Sequence, residues 1–165
     1  MTSEIRKLLA YHYIGIVNFE YIGFVTPDDF IAWAVSMLEA GFDSKNIRIL
    51  AGLTEPLYFS EVEEYLRRSF KDLGWHFPTQ EEALRLYGCD VAENVSSEIM
   101  FPEEGCCEMY KICEALGNPQ DLEVWRSLDM ELHLIENNDF KPGYGGEIDE
   151  QIILAARKYK AAWCS

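Results

Sequence analysis

Residues 26–53, TPDDFIAWAVSMLEAGFDSKNIRILAGL, contain a helix start, an apolar stripe, a stop and a second apolar segment. Thr26 is a suitable N-cap, Pro27 fits the first helical position, and the acids that follow favour the exposed N–H groups of a first turn. The stripe consists of Phe30, Ala34, Met37 and Leu38, with Trp33 on its flank. Gly41 ends this helix and Ser44 begins another, which carries Ile47, Leu50 and Leu53. The stretch therefore predicts an αα-hairpin.

The same sequence signals for helix starts, apolar faces and helix ends recur along the rest of the chain. Apolar residues at helical spacing predict helices over residues 3–13, 60–73, 79–95, 101–116, 121–136 and 147–163. Capping boxes at residues 60–63 and 79–82 mark two of the starts, and Gly74 and Gly117 mark two of the ends. Gly88 lies on an apolar stripe, where a missing side chain would let a neighbour approach closely.

Residues 14–25 allow two interpretations. Their β-branched and aromatic content favours a strand, but no comparable strand is available as a pairing partner, so a helix packed into the core fits as well. Both alternatives stay open at this point.

The fold class predicted by these patterns is all-α. Three segments share a cap or proline, acids, an apolar stripe and a closing glycine 14 or 15 residues later, which indicates a weak repeat of helical hairpins. We expect a single all-helical domain over residues 1–165, built as an irregular bundle or a short solenoid of antiparallel αα-hairpins with about seven helices. A chain of this length can bury roughly 70% of the surface that its unfolded form exposes.

The net charge of −15 limits the partners of this chain. Such a surface repels phosphate backbones, so we expect no nucleic-acid binding, whereas a basic protein would be attracted. No basic, then apolar leader opens the sequence, and no run reaches the roughly 18 apolar residues of a membrane span. The five cysteines, without a C-x-x-C motif, fit buried thiols in a reducing compartment better than a disulfide framework. A cytoplasmic location without membrane contact is therefore expected.

Candidate metal ligands occur once, at Asp129, His133 and Glu136. Their i, i+4, i+7 spacing places two carboxylates and an imidazole on one side of a helix, where they could bind a divalent metal. The alternative is a solvated helix edge, because the apolar stripe lies beside this face. Consecutive acidic pairs, at residues 28–29, 63–64, 81–82, 103–104 and 149–150, fall in the first turns of predicted helices and are interpreted as helix-start residues.

No catalytic residue or cofactor site is predicted. His12 and His76 lack an assignable nucleophile or carboxylate partner for general-base catalysis, and the cysteines are surrounded by acids, which disfavour a thiolate. Among the aromatic residues, Trp75 and Phe77 lie in a predicted loop and are the candidates for partner contact.

Three functions of different kinds are compatible with these features. The favoured one is an acidic cytoplasmic module that binds a basic protein, as an inhibitor or immunity-type neutraliser does. The second is a small metal- or ligand-binding enzyme with its site near Asp129, His133 and Glu136. The third is a self-associating structural subunit. Absence of catalytic motifs favours a protein that is not an enzyme, and the sequence leaves the oligomeric state open.

Overall fold

The structure is a computed structural model that describes residues 1–18, 25–136 and 145–164. It confirms the all-α class: the described residues form eight α-helices and a short 3-10 helix, and none of them lies in a strand. The helices are α1 (Ser3–Val17), α2 (Pro27–Glu39), α3 (Lys45–Ala51), α4 (Phe59–Asp72), α5 (Gln80–Ser96), α6 (Pro102–Ala115), the 3-10 helix (Gln120–Leu122), α7 (Glu123–Glu136) and α8 (Gly145–Trp163). None of the helices in the described ranges has the length and apolar content needed to cross a bilayer.

The helices form two compact units. Unit 1 covers Met1–Gln80 and unit 2 covers Glu81–Ser165. In unit 1, α2 packs on α1, α3 and α4, and in unit 2, α6, α7 and α8 pack on one another. The single domain and the hairpin repeat expected from the sequence stay predictions.

The central hairpin of unit 1 is closed by local hydrogen bonds. The Asp29 carboxylate accepts a hydrogen bond from the Thr26 backbone N–H at 2.6 Å and from its hydroxyl at 2.9 Å. At the other end Gly41 adopts φ +87°, a left-handed conformation that glycine tolerates without steric cost. The hydroxyl of Ser44 then accepts a hydrogen bond from the Ile47 N–H and begins α3. The predicted hairpin is therefore confirmed, with both of its helix starts where the sequence placed them, but α3 ends at Ala51, so Leu53 lies outside the helix.

Large aromatic side chains fill the core of unit 1. Trp33 and Phe70 are fully buried, with ring centroids 6.1 Å apart, so Trp33 lies in the core and not on the flank of its helix. The interior also includes Ile5, Leu9, Ile14, Phe30, Ile47, Leu50, Val62 and Leu66. Burial of such side chains contributes roughly 1.5 to 3 kcal/mol each and is the main force that holds these helices together.

The end of α1 and the start of α4 also differ from the prediction. The first helix continues to Val17, so residues 14–17 are helical, while residues 19–24 lie outside the described part. The fourth helix begins at Phe59 with Tyr58 as its N-cap, so the capping box predicted over residues 60–63 is wrong. Its hydroxyl residue is already inside the helix, because the N–H groups of Glu61 and Val62 bond to the Tyr58 carbonyl.

Two glycines of unit 2 allow close contacts between helices. A Cβ on Gly88 would lie 2.6 Å from the Tyr159 hydroxyl oxygen, and one on Gly105 would lie 2.1 Å from Val95 Cγ2. The tyrosine ring thus occupies the space above Gly88, and its hydroxyl donates a 3.1 Å hydrogen bond to the Arg85 carbonyl. The neighbour expected at Gly88 from the sequence is this ring of α8.

Unit 2 contains a disulfide between Cys89 of α5 and Cys164, which follows α8. The expectation that the cysteines are buried thiols and not disulfide partners is therefore wrong for this pair. The pair was not recognised from the sequence because the number of cysteines is odd, and because the two partners lie 75 residues apart and form no motif. The other three are free, with Cys106 and Cys113 buried as predicted and Cys107 exposed.

His12 makes the stability of unit 1 depend on pH. Its ring stacks on Phe59 with centroids 4.6 Å apart, and burial lowers the pKa of His12 below its usual 6.5, partly offset by the Glu63 carboxylate. Between that lowered pKa and 6.5 the unfolded chain binds a proton that the folded chain does not, so the free energy of unfolding falls as pH decreases through this window. We expect urea unfolding, followed by the indole NMR signals of Trp33 and Trp75, to show lower stability of unit 1 at about pH 5.5 than at about pH 7.5.

The control for this pH effect is His12→Gln, which removes the titrating ring. This variant should lose less stability over the same interval than the parent chain. An identical pH dependence in both proteins would show that other groups cause it.

Candidate protein-binding surface

The negative charge is unevenly divided between the two units. Unit 1 has 11 acidic and 7 basic side chains, a net charge of −4, whereas unit 2 has 18 acidic and 7 basic side chains, a net charge of −11. Most of the excess charge therefore belongs to unit 2.

Three acidic side chains of unit 1 form ion pairs with arginines. Arg67 contacts Glu63 at 2.7 Å, Arg68 pairs with Glu64, and Arg48 pairs with Asp43. The guanidinium of Arg48 lowers the pKa of the Asp43 carboxyl. The two glutamates at residues 63–64 are thus partners of arginines one turn later and not first-turn residues as predicted, because α4 begins earlier than expected.

Several basic residues of unit 2 form ion pairs with acidic residues of the same unit. Arg85 is largely buried and contacts Glu81 and Asp121, each at 2.9 Å, while its guanidinium lies 3.8 Å from the centroid of the Trp163 ring. Lys160 pairs with Glu93 and lowers the pKa of that carboxyl through a hydrogen bond. These contacts leave few cations to balance the remaining acids.

Several carboxylates of unit 2 are exposed and lack an ion-pair partner among the described residues. They are Glu98, Glu103, Glu104, Glu123, Glu147 and Glu150. The pair at Glu103 and Glu104 lies in the first turn of α6, as predicted, where the helix dipole stabilises it. The pair at residues 149–150 does not, because α8 begins at Gly145. The geometry is that of a solvated negative surface, open to an approaching cation.

A small polar cluster is buried in unit 2 between α5 and α6. Glu108 is 8% exposed, accepts a 2.8 Å hydrogen bond from the Tyr87 hydroxyl, and contacts the Lys111 ammonium at 2.6 Å. The lysine is itself largely buried. Since every partner here has a neighbour of complementary charge or hydrogen-bonding type, this cluster is a structural element of the core.

The proposed metal ligands are placed as follows. Asp129 is only 7% exposed, whereas the His133 side chain is exposed, and the distance from His133 Nδ1 to the nearest Asp129 carboxylate oxygen is 3.6 Å. That nitrogen also lies 2.9 Å from the Asp129 carbonyl oxygen. Glu136 ends α7, and its side chain lies outside the described part, so the complete trio stays a prediction. Among the described side chains, no group of three His, Cys, Asp or Glu residues is arranged to hold a metal ion.

The free cysteines are poor nucleophiles. Burial and the nearby Asp129 charge raise the pKa of Cys106 to about 12, and burial also raises the pKa of Cys107 and Cys113. Lys111 opposes the rise at Cys107 only in part, because the Glu108 and Asp129 carboxylates act in the other direction. The thiols therefore remain protonated near neutral pH, and thiolate chemistry is disfavoured.

Trp75 and Phe77, the aromatic pair predicted to contact a partner, are half-buried in unit 1. Both rings pack on Phe70, with centroids 5.6 Å and 5.0 Å away, and the Arg67 guanidinium lies 4.0 Å from the Phe77 ring. Their role in partner binding stays a prediction. The sequence reasoning missed two more exposed apolar residues, Ile99 and Phe101, in the connection between α5 and α6. The apolar run at residues 99–101, directly before a proline, was the available signal.

Comparisons with protein-family models, with curated proteins and with solved structures found no match to this chain.

Proposed function

We propose that this protein is a binding module whose acidic unit 2 engages a basic protein, in the manner of an inhibitor or immunity-type neutraliser. The observation that carries the proposal is the net charge of −11 in unit 2, with exposed carboxylates that have no ion-pair partner among the described residues. Complementary fields accelerate encounter between such a surface and a cationic partner and discriminate against acidic ones.

The buried polar groups support a binding role more than catalysis. Glu108 and Lys111 contact each other in the core, and the thiol pKa values are raised, so neither group is presented to a substrate as a base or nucleophile. The cytoplasmic location stays a prediction, and the Cys89–Cys164 disulfide counts against a reducing compartment.

Salt dependence tests the proposal directly. The full chain is immobilised and used at low salt to capture proteins from a native lysate; the captured protein is identified, purified, and its association rate measured as salt rises. We expect a partner of net positive charge whose association slows steeply with salt, because screening removes the long-range attraction. A neutral or acidic partner, or an association rate that salt leaves unchanged, would contradict the proposal.

Matched charge variants sharpen this measurement. Glu103→Gln/Glu104→Gln removes two unpaired charges from unit 2, and Glu63→Gln/Glu64→Gln removes two paired charges from unit 1. The first variant should slow association several-fold more than the second. Equal effects would show that the overall charge of the chain, and not unit 2, attracts the partner.

A further inference from the structure

The connection between α5 and α6 presents two apolar side chains to solvent. Ile99 is 75% exposed and Phe101 is 79% exposed, the largest values among the bulky apolar side chains in the described ranges. We call residues 97–101 the corner. An exposed aromatic and a β-branched side chain only two residues apart are characteristic of a contact site, since aromatic residues are enriched in the buried centres of protein interfaces.

The backbone of the corner is held in place by hydrogen bonds. The N–H groups of Ile99 and Met100 both donate to the Asn94 carbonyl, at 2.8 Å and 3.1 Å, and the Glu98 N–H donates to the Val95 carbonyl at 3.2 Å. On the other side the Gly105 N–H donates to the Phe101 carbonyl as α6 begins. Because the backbone is already ordered, a partner that binds here loses little free energy to ordering the loop.

Acidic side chains border the apolar pair on both sides in the sequence. Glu98 precedes Ile99, and Glu103 and Glu104 follow Phe101; all three are exposed and have no ion-pair partner among the described residues. Three exposed carboxylates therefore lie within three residues of the apolar pair in the sequence, and we call these three the rim.

We propose that the corner is the anchor through which unit 2 binds its partner, and that the partner presents an apolar surface bordered by lysine or arginine side chains. This inference rests on the function proposed above and adds the contact point. Ile99 and Phe101 supply the buried centre of the interface, while Glu98, Glu103 and Glu104 select a basic partner at the rim.

The charge of the rim favours this occupant over the alternatives. In a symmetric contact between two copies of the chain, each copy would bring Glu98, Glu103 and Glu104 towards those of the other, and like charges repel. An anionic lipid surface is disfavoured for the same reason.

The test uses two synthetic peptides of equal positive charge and the full-length chain labelled for NMR. One peptide is an amphipathic helix of leucine and lysine; the other replaces its leucines with glycine and serine. We expect the leucine-containing peptide to bind more tightly and to shift the resonances of Ile99 and Phe101. Binding of both peptides with equal affinity, or shifts centred elsewhere, would overturn the corner as the anchor while leaving the proposed function in place. Failure of both peptides to bind would count against the proposed function as well.

Variants separate the apolar contribution from the charge. Ile99→Ser/Phe101→Ser should weaken binding of the leucine-containing peptide by about 30-fold, the size typical of an interface hot spot, and leave the other peptide unaffected. Met130→Ser, at another exposed apolar position, is the matched control and should change affinity by less than about 3-fold. Since the replaced side chains are exposed, unfolding should remain unchanged, and a melting curve checks this. Equal effects of the two variants would overturn the proposal. The proposal would also be overturned if the parent chain self-associates or binds vesicles and Ile99→Ser/Phe101→Ser abolishes that binding.

Discussion

Cys164→Ser is expected to lower the free energy of unfolding of unit 2 by about 4 kcal/mol. The Cys89–Cys164 bond closes a loop of 75 residues that takes in nearly all of this unit, so breaking it restores a large chain entropy to the unfolded state. Guanidinium unfolding, with and without reductant, measures the effect. Reductant should destabilise the parent chain by a similar amount and leave the variant unchanged.

Cys107→Ser is the control for the disulfide variant. Its thiol is free and exposed, so the substitution should change stability by less than about 0.5 kcal/mol. If reductant leaves the free energy of unfolding of the parent chain unchanged, the disulfide does not stabilise unit 2 and the prediction is wrong.

Glu108→Ala is expected to lower the free energy of unfolding of unit 2 by about 3 kcal/mol. The substitution removes the carboxylate that contacts the Lys111 ammonium at 2.6 Å and accepts the Tyr87 hydrogen bond, in a place where water cannot readily replace it. Removal of an oppositely charged neighbour from a largely buried lysine costs more free energy than the net contribution of the intact pair. Chemical unfolding of the variant and parent at neutral pH gives the difference.

A double variant tests whether the lost charge partner is the cause. Glu108→Leu/Lys111→Met removes both charges and keeps the volume, so it should recover most of the stability that the single variant loses. A double variant no more stable than Glu108→Ala would assign the loss to packing and not to charge.

The helices of this chain were readable from the sequence because their signals are local. The Thr26 N-cap and the glycine stop at Gly41 depend on residues within a few turns, and both are confirmed. The apolar stripe of α2 is confirmed in part, because Leu38 is half-buried and Trp33 is in the core. The start of α4 was misplaced because a hydroxyl followed by a glutamate is also common inside a helix, and the N-cap there is Tyr58, which has no capping side chain.

Features that depend on distant residues were not readable in the same way. The Cys89–Cys164 pairing and the burial of Asp129 both result from how helices far apart in the chain meet. Asp129 looks like a solvent-edge residue from its helical position alone, since the apolar stripe of α7 lies beside it. The contact between Gly88 and Tyr159 was predicted in part. The sequence indicated a close neighbour at Gly88 but did not identify that neighbour as Tyr159.

The sequence predicted that the candidate surface is negative, but it did not predict where on the molecule that surface lies. Composition alone gives a negative molecule, but the division between the units requires their boundary at Gln80. The exposure of Ile99 and Phe101 depends on where α5 ends and α6 begins, and the sequence analysis placed Phe101 only at the start of a predicted helix.

Gly41, Gly74 and Gly117 all have positive φ, at +87°, +69° and +79°, and a Cβ built on any of them would meet no atom within 4 Å. Glycine is therefore favoured at these helix ends because of the positive φ, and not because a larger side chain lacks space. A mirror-image alanine, whose preferred backbone angles are the inverse of the natural ones, would occupy any of the three sites without strain and would restrict the unfolded chain more than glycine does.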